Sequence, residues 1–175
     1  MTQDLSYPIG KFQRPASLSS EEFDRAVVAL TTQPARLRDA VSHLNEAQLD
    51  TPYRPDGWTV RQLVHHVADS HINMYVRLKV ALTEHNPTIK PYDQDAWILL
   101  SDITEIPVET SLILLDAVHK RAVSVLRNTS AGDRERLFMH PETGPTRVDQ
   151  LTALYAWHGD HHIAHVTGLR ARMGW

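Results

Sequence analysis

The segment Trp157-His158-Gly159-Asp160-His161-His162-Ile163-Ala164-His165 places four histidines within eight residues, inside a stretch whose apolar residues recur with a helical period. At about 100° per residue, Val148, Leu151, Tyr155, Val166 and Leu169 share one face of that helix. His162 points into the middle of this face, and His158 lies one turn earlier and close to it. His165 sits at the edge, and His161 is rotated towards the polar side. A chain that sends imidazoles into an apolar helix face must bury that face and satisfy the ring nitrogens there, because a buried polar group without a partner is costly. For a lone ring the ordinary solution is a hydrogen-bonded core histidine. For this cluster a divalent metal is simpler, since His158 and His162 are spaced i,i+4 and two side chains on successive turns can chelate one ion.

Composition narrows the ligand chemistry. The chain has 11 histidines and no cysteine. Disulfides, thiolate metal sites and a cysteine nucleophile are excluded, so a metal would be held by nitrogen and oxygen. At 175 residues the chain suits one domain, 1–175, with its own core. A net charge of −3 offers no electrostatic case for nucleic acid or an anionic membrane. No apolar run is long enough to span a bilayer, and no apolar leader precedes the fold, so the cytoplasm is the expected location.

Residues 1–18 read as an extended N-terminal arm, because Pro8 and Pro15 bias it away from helix. It has the choice of packing along its own domain or across a partner subunit. Ser19 with Glu22 forms a capping box for a first helix running to about Leu44, with a kink or a break expected at Pro34. Leu49 to Trp58 is dense in turn residues. Thr59 caps a second helix reaching about Glu84, on which His66, Ser70, Asn73 and Arg77 form a polar lane along one border of the apolar face, while His65 points outward. Residues 88–106 hold a crossover with a short helix around Gln94 to Leu100, long for a bundle connection. A third helix runs from about Pro107 to Asn128. Residues 129–146 read as a loop or short hairpin, and Thr146 with Asp149 caps the last helix, which continues to about Met173. The fold class is therefore all-α, an up-down four-helix bundle with long crossover loops and the ligand site in its core.

Two ligands from the last helix need a third from elsewhere. His66 borders the core face of the second helix and is followed by polar residues. His71, His119 and His140 also remain open as ligands, each read singly as a hydrogen-bonded or ligand-supporting histidine. The spacing is not His-Glu-x-x-His, so no glutamate base stands beside the ligands. Asp69, Asp160 and Glu142 are the available acids, each read first as a surface, capping or supporting residue.

The stretch Gly57-Trp58-Thr59-Val60-Arg61-Gln62-Leu63-Val64-His65-His66-Val67-Ala68-Asp69-Ser70-His71 resembles the DinB superfamily, in its YfiT-like branch. Leu5-Ser6-Tyr7-Pro8-Ile9-Gly10, Lys90-Pro91-Tyr92-Asp93, His140-Pro141-Glu142 and Tyr155 through His165 extend the likeness over essentially the whole chain. The resemblance implies a four-helix bundle, often a homodimer, with a divalent metal held by three histidines. These fall on His66, His158 and His162. Where many members of the superfamily have glutamine this chain has His165, which puts a substrate or ligand-supporting role there.

The resemblance implies two chemistries, since YfiT-like proteins are labelled metal-dependent hydrolases and related members are thiol S-transferases. A divalent cation with an open position lowers the pKa of a bound water or a bound thiol. The missing glutamate tilts the reading towards transfer of a low-molecular-weight thiol of the bacillithiol type to an electrophile, with hydrolysis as the alternative and a non-catalytic metal-binding stress protein as a third. One divalent ion per chain is expected, zinc ahead of nickel, with Asn73, Arg77, His140, Tyr155 and His165 lining the substrate pocket or supporting the ligands.

Overall fold

Ser19 accepts a hydrogen bond from the Glu22 amide while the Glu22 carboxylate takes the Ser19 amide, and this capping box starts α1, Ser20–Val41. A computed structural model describes residues 4–175; residues 1–3 of the expected N-terminal arm lie outside the described residues. The first helix ends at Val41 rather than near Leu44, because His43 takes a left-handed conformation (φ 62°) that a helix cannot continue through. Pro34 is accommodated inside a single continuous helix. A short α2, Glu46–Leu49, follows.

Thr59 caps α3, Val60–Thr83, through a capping box with Gln62, as expected. The crossover, residues 84–107, carries two short helices rather than one, α4 at Gln94–Trp97 and α5 at Asp102–Glu105. Pro107 precedes α6, Val108–Arg127, and α7 is a single turn at Ala131–Glu135. The irregular segment resolves into a hairpin, β1 Leu137–His140 paired antiparallel with β2 Gly144–Arg147. Thr146 is paired with Phe138 in that hairpin, so the cap of α8, Val148–Met173, falls one residue later, on Arg147. Gly174, at φ 71°, closes α8 in the left-handed conformation suited to glycine.

The long helices α1, α3, α6 and α8 make the expected bundle, but their directions do not strictly alternate. Leu18 meets Asp149 at one end of the α1–α8 pair and Arg170 meets Ala40 and Ser42 at the other, so α1 and α8 run parallel. His65–Ser111 and His71–His119 contacts make α3 and α6 parallel too. The order is up, down, down, up. The long crossover is a consequence: α3 ends at the opposite end of the bundle from the start of α6, about 36 Å away at 1.5 Å per residue. Each of α1 and α3 packs against both α6 and α8, which leaves α1 and α3 diagonal.

The core is split in two along the bundle axis. One cluster gathers Leu37, Leu63, Leu112 and Val166, and the other Phe23, Leu30, Met74, Leu126 and Leu151. Between them the four helices contribute a polar layer: Gln33 from α1, His71 from α3, His119 from α6 and His158 from α8. Gln33, His71 and His119 are at most 2% exposed. The N-terminal arm packs along its own domain. Arg14 bonds Thr146 and Gln150, and Trp157 Nε1 donates to Gly10 O at 3.2 Å.

Candidate metal centre

Antiparallel packing of α3 on α8 brings His66 opposite the i,i+4 pair His158 and His162. One ring nitrogen of each lies within 4.8 Å of the others. His158 Nε2 and His162 Nε2 are 3.2 Å apart, close to the ~3.4 Å expected for two nitrogens held about 2.1 Å from one tetrahedral ion. The Trp58 ring, 4.7 Å from that of His66, closes the third side.

Electrostatics prepare these rings as ligands. Burial pushes His66 down to about 4. It pushes His158 and His162 well below the ordinary imidazole value, and neighbouring imidazoles add to the effect. All three are therefore neutral near pH 7, the form that binds a cation. Three neutral nitrogens, buried on one side and facing a cavity of about 460 Å³, fit a divalent ion with a position left open.

The other expected residues divide. His165 lines the same cavity, and its ring lies tilted against that of Tyr53 with the centroids 4.2 Å apart. Its Nε2 lies 3.0 Å from His161 Nε2, and burial first, then His161, Arg54 and Arg172, push it down to about 3. His161 is not the peripheral residue its helical angle implies: it is 8% exposed and also lines the cavity, because the arm and Trp157, stacked on it at 4.5 Å, cover that side of α8. His65 does not point outward. It is buried against α6 with Nδ1 2.7 Å from Ser111 Oγ.

Tyr155 and Arg77 come together, Nη1 donating to the phenol oxygen at 3.5 Å, and Ser70 Oγ lies at the same distance from that oxygen. The Arg77 charge also reaches His140, which burial lowers first and Arg77 second. Asn73 instead donates to Asp69 O of its own helix. His71 and His119, left open in the sequence, are buried and hydrogen-bonded, with His71 Nδ1 2.7 Å from His119 Nε2 and His71 Nε2 3.2 Å from His158 Nδ1. Asp160 is committed to Arg36 at 2.6 Å, and Glu142 sits exposed in the hairpin turn. Asp69 is half-buried and raised to about 6, by burial first and by Asp102 second. The carboxylates bordering the three-histidine cavity are Asp56 and Asp95. Sequence reasoning missed both, since Asp56 stands in the turn-rich loop before α3 and Asp95 on the short α4 of the crossover, and neither has a spacing that ties it to the histidines.

At Gly159 a β-carbon would lie 2.3 Å from the Gln33 side chain. Gln33 Nε2 donates to Ala156 O at 2.6 Å. The glycine thus lets α1 approach α8 beside His158.

Comparison with known proteins places the chain in a family. The DinB superfamily profile matches residues 29–166. A Bacillus mycoides protein is 49% identical over 173 residues, 99% of each chain, and a Bacillus cereus protein is 50% identical over 172 residues, 98% of this chain and 99% of its own. Both are named, provisionally, metal-dependent hydrolases. The solved structure of YfiT from Bacillus subtilis, described as a candidate metal-dependent hydrolase with an unusual four-helix bundle topology, superposes with a TM-score of 0.95. It has 46% identity and covers 98% of this chain and 99% of that one. The four-helix bundle protein TT2238 shares the fold at a TM-score of 0.55 and 21% identity. On the profile match and the near-complete alignment with relatives at about half identity, this chain is a member of the DinB superfamily.

Proposed function

We propose that this chain is a divalent-metal-dependent hydrolase whose cation is held by His66, His158 and His162. The observation that carries the reading is the neutral three-nitrogen cluster opening onto a cavity bordered by carboxylates. The relatives named metal-dependent hydrolases support it. Zinc is the first expectation and nickel the second, since a nitrogen set with an open position suits both.

When bound, the cation supplies Lewis acidity, lowering the pKa of a water and polarising the group under attack. The protein's own groups do the rest. Trp58 and Tyr53 wall the cavity and exclude water from one side. Asp95, on α4, and Asp56 border it and can take up the proton a water loses. The neutral His161–His165 pair offers further nitrogens to an incoming polar substrate. Arg77 and Tyr155 sit one step down the α3–α8 seam, placed to hold a polar or anionic end of the substrate.

The test is a screen of ester and amide substrates with zinc- or nickel-loaded protein. Asp95→Asn should lower kcat about 10²-fold or more, in line with loss of a general base, with metal content unchanged. Hydrolysis undiminished in both Asp95→Asn and Asp56→Asn would remove the carboxylates from the mechanism.

Thiol transfer is the second reading, favoured by one feature: Asp56 and Asp95 are both exposed, and a thiol bound to a cation deprotonates without a base. It predicts loss of bacillithiol or a similar thiol in the presence of an electrophile and no turnover without thiol. A homodimer is proposed as well, supported by the exposed Leu99, Leu100 and Ile113; light scattering at micromolar protein reads it directly.

A further inference from the structure

Pro34 lacks an amide hydrogen, so inside α1 the carbonyl of Leu30, four residues earlier, loses its helical donor. That carbonyl is buried and cannot stay unpaired without cost. His119 Nδ1, from α6, lies 2.5 Å from it. A carbonyl only accepts, so His119 carries its proton on Nδ1 and presents Nε2 as an acceptor. His71 Nδ1, from α3, lies 2.7 Å from His119 Nε2 and must donate to it. His71 Nε2 is then an acceptor, and His158 Nδ1, 3.2 Å away, must donate in turn. The lone pair of His158 is left on Nε2, the nitrogen that faces His162 Nε2.

We infer that His71 and His119 are positioning residues that lock the tautomer and ring orientation of His158 for metal binding, with the Leu30 carbonyl freed by Pro34 as the anchor of the chain. The inference rests on the metal-centre reading above and adds residues that touch neither the cation nor the substrate. Every member of the chain is fixed. His71 is 0% and His119 2% exposed, the two rings stack at 4.8 Å, and Tyr155 packs edge-on against His71 at 5.0 Å. Each end of the chain is set from outside, one by a backbone acceptor and one by the cation site, so no second arrangement of protons satisfies all the contacts with neutral rings. A histidine ligand whose other nitrogen donates a hydrogen bond binds metal more tightly, and loss of such a partner costs about 10–100-fold in affinity. His162, whose Nδ1 is buried without a partner among the described residues, has no such support, which makes His158 the better ordered of the helical pair.

The experiment measures zinc affinity by chelator competition in His119→Leu and His119→Gln, beside nitrogen NMR of histidine-labelled wild-type protein. Leucine cannot bridge Leu30 and His71. Glutamine carries one donor and one acceptor and can do so. The expected result is a ~10–100-fold weaker zinc complex for H119L and recovery of most of that loss in H119Q. The wild-type spectra should show His71, His119 and His158 all protonated on Nδ1. Wild-type affinity in folded H119L, or equal losses in folded H119L and H119Q, would overturn the inference. So would Nε2-protonated His71 or His119 in the wild type, a readout that needs no variant to fold. If wild-type protein binds no zinc or nickel at all, it is the metal-centre reading that fails, and the spectra still decide whether the hydrogen-bonded chain exists.

Discussion

Acid should destabilise the metal-free protein through its buried histidines, opposed in part by half-buried Asp69, which is raised to about 6 and takes its proton more readily in the folded chain. Burial lowers His66 to about 4 and His165 to about 3, whereas an unfolded imidazole titrates near 6.5. A group whose folded pKa is depressed contributes its full stability above the unfolded value and loses it as pH falls towards the folded value. Between about pH 7 and pH 5 the unfolded chain gains roughly three-quarters of a proton at each position while the folded chain gains almost none. At about 1.4 kcal/mol per pH unit this is about 2 kcal/mol per histidine, or ~4 kcal/mol for the two. His71, His158 and His162 are lowered further and act in the same direction. Even ~4 kcal/mol is a large share of the 5–15 kcal/mol that holds a typical domain together, and for a chain of this length it corresponds to a fall in Tm of roughly 8–16 °C. Urea unfolding followed by far-UV circular dichroism, on chelator-treated protein at about pH 7, 6 and 5, reads the change. His165→Gln removes one titrating group, so its acid-induced loss should be smaller by about 2 kcal/mol. Stability that is flat or rises as pH falls over this window would refute the reasoning.

Three further outcomes follow from the packing and the site. Gly159→Ala drives a methyl into the buried, hydrogen-bonded Gln33 side chain and should cost about 1–3 kcal/mol in unfolding free energy, with zinc affinity falling as α8 shifts beside His158. Arg77→Gln should raise KM more than it lowers kcat, since the guanidinium meets Tyr155 rather than the ligand cluster; steady-state kinetics on the first hydrolysed substrate separates the two. Added zinc should raise the Tm of the wild-type protein at neutral pH and lose that effect as acid protonates the ligands, which a thermal-shift series reads directly.

Much of the bundle could be read from the chain because its signals are local. The capping boxes at Ser19 and Thr59 and the left-handed Gly174 fix helix ends through contacts within a few residues. The 3.6-residue period placed His158 and His162 on the buried face of α8. Helix direction was not local. Whether α6 runs with or against α3 depends on a crossover that could return at either end, and the turn residues in 84–107 do not say which. The helical wheel also misplaced His161 and His65, because it treats a helix as having one buried face. In α8 the N-terminal arm covers a second face, and in α3 the helix α6 does. The role of Pro34 lay furthest from view. A proline in a helix reads as a kink, and only the fold shows which side chain takes the carbonyl it frees.

The most direct question is whether His66, His158 and His162 hold one divalent cation. Elemental analysis of protein purified without chelator, repeated on His66→Ala, His158→Ala and His162→Ala, measures this. The expected result is close to one zinc or nickel per wild-type chain, with a loss of binding in each variant that keeps its helical circular dichroism. Wild-type metal content in any folded member of the three would contradict the assignment.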